Sequence, residues 1–188
     1  MVKEQYDRDL NIHWRNFSLE QNALDNSPSA SNTEKVWEMG DLKSTRSVLA
    51  AVAGEAARKQ GPDAFNAFFI NLLKERHGPN RVALNDNNKF IEIADRSSLD
   101  VVAFRHDLED TALLKIISED HMEATLKYGI FGTPTFLFSN GHSAYLKMFV
   151  PPDSEAIETF EHFIDLFENR KYIGEIKRPQ PPWPKGAV

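Results

Sequence analysis

The chain has 188 residues, 41% of them hydrophobic, which fits one domain with a large core or a small domain carrying an insertion. Its formal net charge is -6, so no positive field favours nucleic acid or anionic membrane surfaces as partners. No apolar run reaches the roughly 18 residues of a membrane helix. The first residues also lack the apolar core of a secretory signal, so we expect no membrane association and a cytoplasmic location.

The sequence contains no cysteine. Disulfides, thiolate nucleophiles, iron-sulfur clusters and cysteine zinc sites are therefore excluded for this chain. The histidines show none of the usual metal-binding spacings, and no serine hydrolase or phosphate-loop motif is present, so we predict neither a metal nor a cofactor. His121 with Glu123, or His162 with Glu158, could form an acid–base pair on a helix, but solvated helix surface is the more frequent setting for such residues.

The first 32 residues predict a helix-to-strand step followed by a loop. Residues 1–8 are typical of the end of a helix. Residues 10–14 alternate apolar and polar side chains, which predicts a half-buried strand. Residues 23–32 are rich in Ser, Asn and Ala around Pro28 and predict a surface loop.

Residues 33–128 predict a block made only of helices. A helical stretch over residues 33–60 carries an apolar stripe, and a second helix over residues 64–76 follows a Gly-Pro-Asp start signal. Three more helices are predicted at residues 86–95, at 100–104 and, after a capping Asp110, toward Tyr128. The side chains expected on the buried faces are Val48, Leu49, Val52, Ala53, Ala56, Phe65, Phe68, Phe69, Leu72, Leu73, Leu113, Ile116, Ile117 and Ala124.

After Gly129 the sequence pattern changes from helical to strand-like. Gly129 itself is expected to end the last helix of the block in a left-handed conformation. Two short aromatic and aliphatic runs, residues 135–138 and 144–146, flank Asn140-Gly141 and predict two antiparallel strands joined by a two-residue turn. A final helix capped by Asp153 has a wide apolar face. Residues 179–188 form a Pro-rich tail.

The segment Tyr128-Gly-Ile-Phe-Gly-Thr-Pro-Thr-Phe-Leu137 with Asn140-Gly141 resembles the cis-proline loop and hairpin of DsbA-like proteins. Residues 11–19 are similar to the second strand of a DsbA-like branch that includes FrnE-type dithiol isomerases and mycothiol-dependent nitroreductases. Residues 172–178 resemble the latter group. The resemblance runs nearly the whole length, and the Gly-Thr-Pro-Thr loop is its most specific part.

The resemblance implies an α/β fold with a thioredoxin-like core and a large all-helical insertion. The core would comprise residues 1–32 and 129–178, the insertion residues 33–128, and the tail residues 179–188. Family members begin with a strand that leads into a Cys-x-x-Cys helix, and this sequence contains neither feature. The core is therefore expected to be incomplete. Truncation is the favoured explanation. If the polypeptide folds alone, a homodimer that fills the gap by swapping elements, or a rearranged sheet, is predicted instead.

Gly132, Thr133 and Pro134 are the candidate substrate-binding residues, and no catalytic residue is predicted. The resemblance implies a cis Thr133–Pro134 bond that turns the Thr133 backbone toward a substrate. From the sequence alone, the same three residues could simply end a helix and start a strand. An exposed backbone edge at Thr133 could pair with a peptide or a small thiol without any cysteine.

Three functional hypotheses follow. The first is a DsbA-like thiol oxidoreductase by resemblance, acting on disulfides, a low-molecular-weight thiol or a small electrophile, and redox-inert in this chain because it has no cysteine. The second is a non-catalytic, homodimeric protein that binds a peptide or thiol at the Thr133–Pro134 groove. The third is a cysteine-independent enzyme similar to chromene-carboxylate isomerases, whose amino-terminal serine region has no counterpart here.

Overall fold

A computed structural model describes residues 2, 6, 10–27, 35–42, 45, 47–79 and 81–176. The Pro-rich tail and most of the helix predicted over residues 1–8 lie outside these residues. The chain divides into two compact units, one formed by residues 15–131 and the other by residues 1–14 and 132–188. The four-part division of the sequence stays a prediction.

The unit of residues 15–131 is built from helices and helical turns throughout its described part. This agrees with the helical block predicted for residues 33–128. The elements are α1 (Leu19–Asp25), a 3-10 turn (Val36–Glu38), α2 (Ser47–Lys59), α3 (Pro62–His77), α4 (Asn87–Arg96), α5 (Val101–Asp107), α6 (Ala112–Met122) and a π-helical turn (Glu123–Lys127).

The core of this unit forms around α2, whose small side chains let the neighbouring helices approach closely. Ala53, Ala56 and Ala57 are completely buried. Bulky rings from α3, α4 and α5 fill the space beside this surface, and each fully buried phenylalanine stabilises the fold by about 1.5–3 kcal/mol. These rings are Phe68, Phe90 and Phe104.

Local sequence signals set the helix boundaries. The carboxylates of Asp86 and Asp100 accept backbone N–H groups at the starts of α4 and α5. Gly61, with φ of +110°, precedes Pro62 at the first position of α3. Asp110 accepts the N–H of Ala112 at 2.9 Å, at the beginning of α6. The predicted boundaries of these helices are therefore confirmed to within a few residues.

Several predictions for this unit are wrong in detail. In the described part of residues 33–60, the single expected helix is instead the 3-10 turn and then α2 from Ser47. Part of the loop expected over residues 23–32 is instead helix α1, because Ser18 caps it by accepting the N–H of Gln21. Leu73 and Ile116 are exposed. In α3 the buried stripe is centred on Phe65, Phe68 and Leu72. Leu73, the next residue around the helix after Leu72, therefore faces outward.

The other unit contains an antiparallel hairpin and one long helix. Strand β1 (Thr135–Leu137) pairs with β2 (Ser143–Tyr145), with Phe136 opposite Ala144. A 3-10 turn (Asp153–Glu155) leads into α7 (Ala156–Phe167). The ring of Phe163 lies 4.8 Å from that of Phe136 and 5.8 Å from that of Phe138, so the apolar side of α7 covers one face of the hairpin.

The structure corrects three predictions for this unit. Residues 10–14 form no strand, because no strand of the described chain pairs with them and alternation alone cannot supply a partner. The hairpin loop has three residues between Phe138 and His142 rather than two, with Gly141 at φ of +85°. Asp153 lies in the 3-10 turn, and the described residues provide no side-chain cap for α7.

We expect Phe163→Ala to lower the free energy of unfolding by about 3 kcal/mol, because it removes the ring that joins α7 to the hairpin. Urea unfolding followed by circular dichroism measures the change. Tyr172→Ala is the matched control, since that ring is 75% exposed and its removal should leave stability nearly unchanged. Equal losses in the two variants would contradict the packing described above.

Candidate functional site

The candidate site is the loop that enters strand β1. The Thr133–Pro134 peptide bond is cis, as the resemblance to DsbA-like proteins implied. The carbonyl of Pro134 accepts the N–H of Leu146 at 3.1 Å, and the hydroxyl of Thr135 donates to the carbonyl of Gly132 at 2.7 Å. These bonds fix the loop to the beginning of the hairpin on both sides of Thr133.

Tyr145 on β2 packs against the loop and explains why position 132 is glycine. A Cβ atom built on Gly132 would lie 3.2 Å from Cε2 of the Tyr145 ring, closer than ordinary van der Waals contact. Gly132 is buried, whereas the Tyr145 ring is partly exposed. The ring therefore covers the loop backbone, and a Cβ at position 132 would require the ring to shift by a few tenths of an ångström.

Thr133 presents an unpaired backbone. Neither its N–H nor its carbonyl makes a hydrogen bond with the part of the chain that the structure describes. Thr133 is half-buried and the ring of Pro134 is exposed. Gly132, Thr133 and Pro134 therefore lie together in a fixed loop that can offer one donor and one acceptor to an extended segment. Their role in binding substrate stays a prediction.

A buried polar cluster in the helical unit was missed by the sequence reasoning. His121 on α6 is 1% exposed, and its Nδ1 accepts the backbone N–H of Ser18 at 3.1 Å. Its Nε2 lies 3.8 Å from Oδ2 of Asp25, too far for a hydrogen bond but near enough for electrostatic attraction. The rings of Phe17 and Trp37 pack on it, with centroids at 4.9 and 5.4 Å.

Asp120, the neighbour of His121, holds the same segment by its carboxylate. Oδ1 accepts from Arg15 at 2.9 Å, and Oδ2 accepts both the backbone and the side-chain N–H groups of Asn16, each at 2.9 Å. The Asn16 side chain also donates to Glu55 on α2 at 2.8 Å. The cluster thus joins α6, α2 and the chain before α1.

The acid–base pairs considered from the sequence are not formed. His121 is buried rather than on a solvated surface, and Glu123 instead pairs with Lys127, whose Nζ lies 2.8 Å away. The resulting hydrogen bond lowers the pKa of Glu123 and raises that of Lys127. His162 and Glu158 are both exposed. Within the described ranges, no group of three or more His, Asp or Glu side chains could hold a metal ion.

A comparison with known protein families identifies the family of the chain that contains this loop and hairpin. The family model of the DsbA-like thioredoxin domain matches residues 1–165 of the chain. The chain belongs to the DsbA-like thioredoxin family. The predicted fold class, a thioredoxin-like core with a helical insertion, is thereby confirmed. The finer placement in the FrnE-type branch stays a prediction.

The DsbA-like chain is also similar to two curated relatives. It is 30% identical over 145 residues to the ClpXP adapter protein SpxH of Bacillus subtilis, an alignment that covers 77% of this chain and 46% of the relative. It is 29% identical over 144 residues to the protein of the same name from Halalkalibacterium halodurans, covering 66% of this chain and 46% of the relative. The chain spans about half the length of these relatives.

None of the helices in the described part of this DsbA-like chain combines the length and the apolar character that crossing a membrane requires. The cytoplasmic location expected from the sequence stays a prediction.

We expect Gly132→Ala to destabilise the DsbA-like chain by about 1 kcal/mol, because the added methyl group displaces the Tyr145 ring. The same substitution in a Tyr145→Ala background should cost much less, so a double-mutant cycle measured by urea unfolding should give a coupling energy of about 1 kcal/mol. Gly174→Ala is the control, since no atom of the described residues lies within 4 Å of its Cβ position. A coupling energy of zero would refute the contact.

Proposed function

We propose that this chain is a non-catalytic member of the DsbA-like family that binds an extended peptide segment of another protein at the Gly132-Thr133-Pro134 loop. The observation that supports the proposal is that the Thr133 backbone groups have no hydrogen-bond partner among the described residues, in a chain that contains no cysteine. Binding of this kind needs backbone hydrogen bonds and no thiol. A small thiol or electrophile is the alternative ligand for the same loop.

The geometry of the loop supports strand-like pairing. Residues on either side of Thr133 are held by the bonds from Thr135 and Leu146, so the loop need not become ordered when it binds. A preformed site loses less conformational entropy on binding than a mobile one. The exposed ring of Pro134 adds apolar surface beside the backbone groups. One extended segment could therefore use both hydrogen bonding and apolar contact.

Thiol-disulfide exchange by the 188 residues themselves has no chemical basis. The reaction requires a thiolate that attacks a disulfide sulfur, and this chain contains no sulfur nucleophile of that kind. Oxidoreductase activity therefore enters the proposal only as the property of the wider family.

The names of the relatives support a role in presenting proteins. Both are called ClpXP adapter proteins, and an adapter acts by binding. We extend the proposal accordingly: this chain holds a segment of a client protein and delivers it to a ClpXP-type protease. The backbone edge at Thr133 suits that task because backbone pairing tolerates many client sequences.

We expect the purified chain to bind cysteine-free peptides of about six residues with strand-forming sequences, measured by fluorescence anisotropy. Methylation of the backbone nitrogens of the strongest binder should weaken binding by about tenfold for each hydrogen bond removed. Pro134→Ala should also weaken binding because it removes the exposed ring beside Thr133. Pro151→Ala, outside the loop, serves as the control substitution.

Two outcomes would reject the peptide-binding proposal. One is equal binding of the methylated and unmethylated peptides, and the other is insulin reduction by the cysteine-free chain itself. The adapter role has its own test, in which that peptide is fused to green fluorescent protein and digested by ClpXP. Faster digestion with the chain than without it is expected, and peptide binding without any acceleration would reject only the adapter role.

A homodimer is the second candidate, and the sheet favours it. Among the described residues β1 pairs only with β2, which leaves its other edge open to a strand from a second copy. We expect sedimentation velocity to detect a dimer that Leu137→Lys weakens, since an edge lysine opposes pairing. Leu126→Lys, at a more exposed position in the helical unit, is the matched control. A chain that stays monomeric at every concentration would exclude the dimer.

A further inference from the structure

We propose that His121 is an acid-sensitive latch on helix α1: the neutral ring fastens the amino-terminal end of α1 to α6, and protonation releases it. The latch rests on the contacts of His121 and goes beyond the peptide-binding role proposed above. It involves the only described buried side chain with an unbonded polar atom, Nε2 of His121.

The bond to Ser18 requires a neutral imidazole. Nδ1 accepts the Ser18 N–H at 3.1 Å, so this nitrogen carries no proton and Nε2 carries the ring hydrogen. Protonation would place an N–H at Nδ1, facing the N–H of Ser18. Two donors cannot bond, and Ser18 is buried, so its backbone group would have no other partner there. A charged His121 is therefore incompatible with the docked segment.

Ser18 is the residue through which the release would reach α1. Its hydroxyl caps the helix by accepting the N–H of Gln21 at 3.1 Å. Gln21 in turn is completely buried and accepts the N–H of Val36 at 2.8 Å. Displacement of Ser18 would thus remove the cap of a helix that has only seven residues and little stability of its own.

Charged side chains near the His121 ring lie on several of the elements that pack against it. On α1, Asp25 attracts the imidazolium, while Glu20 is engaged by Ser47 of α2. Before the 3-10 turn, Lys35 repels it, although Lys35 is paired with Asp25 at 3.3 Å. The remaining groups nearby are already bonded to one another: Arg15 with Asp120, and Glu55 with Asn16 and Arg58.

Burial dominates this balance and lowers the pKa of His121 below its ordinary value of 6.5, with a smaller opposing effect from Asp25. The released segment would restore the ordinary pKa, so the released form binds a proton more readily than the docked form. The docked state therefore has its full stability above pH 6.5 and loses it as the pH falls through the lowered pKa of docked His121.

Release of α1 would also break a hydrogen bond to the residue just before the candidate loop. Asn22 on α1 donates its side-chain N–H to the carbonyl of Phe131 at 3.1 Å, and Phe131 precedes Gly132 in the sequence. Acid would free that carbonyl together with α1. If the loop binds peptides as proposed, their affinity should fall in the same pH range, and failure of this effect alone would leave the latch intact.

Hydrogen exchange of residues 17–26, corrected for intrinsic rates, tests the latch in the intact chain. Between pH 6.5 and the lowered pKa we expect protection to fall by about tenfold for each pH unit, and to level off below the lowered pKa. His121→Gln can keep an acceptor for Ser18 without titrating, and should abolish the pH dependence. Asp25→Asn should move the midpoint to lower pH, because it removes the charge that favours imidazolium. His77→Gln is the control, since burial also lowers the pKa of His77.

A pH dependence that survives in His121→Gln, or disappears in His77→Gln, would overturn the latch. If His121→Gln does not fold, nitrogen-15 spectra of the unsubstituted chain decide the question. They should give a ring protonated only at Nε2 near neutral pH, and a second protonation that coincides with the loss of protection at Ser18. A charged His121 beside a fully protected segment would reject the proposal.

Discussion

Two adjacent side chains on α6, Asp120 and His121, hold the segment that leads into α1, and the helical unit is organised around this attachment. Asp120 takes up three N–H groups from Arg15 and Asn16, and His121 takes up the N–H of Ser18. Backbone groups that become buried in a segment without regular structure must find partners, and for Asn16 and Ser18 side chains of a distant helix provide them. The position of α1 depends on that exchange.

The attachment also explains why polar side chains occupy so much of this interior. Gln21, Glu55, Asp120 and His121 are all buried, and each contributes to a bond between elements far apart in the sequence. Such a network specifies one arrangement because each member has a definite partner. It also makes the arrangement sensitive to the charge state of its members, since desolvated ions without partners are costly.

In the hairpin unit, the important feature is a backbone loop held in a fixed conformation. Its loop holds the backbone of Thr133 in place by bonds to the residues around it, and the ring of Tyr145 covers the glycine that makes this close approach feasible. In the DsbA-like family, such a loop is associated with thiol chemistry, which a chain without cysteine cannot perform. What remains available is recognition through the backbone.

The sequence determined the local features of this protein. Helices α3 to α6, the glycine with positive φ after the π-helical turn and the hairpin were all predictable, because periodicity, caps and turn residues act over a few positions. The cis Gly132-Thr133-Pro134 loop was predicted only through the resemblance to DsbA-like proteins. The absence of cysteine was equally plain and fixed the chemistry that is excluded.

Only the tertiary structure decided the features that depend on distant partners. The absence of a strand at residues 10–14 and the burial of His121 both depend on other segments, and His121 meets Ser18 across 103 positions of sequence. His121 lies four residues after the buried Ile117, so helical spacing alone places it on the buried face, but only the structure brings Ser18 and Asp25 against it. Strand pairing and burial are properties of two segments, and a pattern within one segment cannot specify the other.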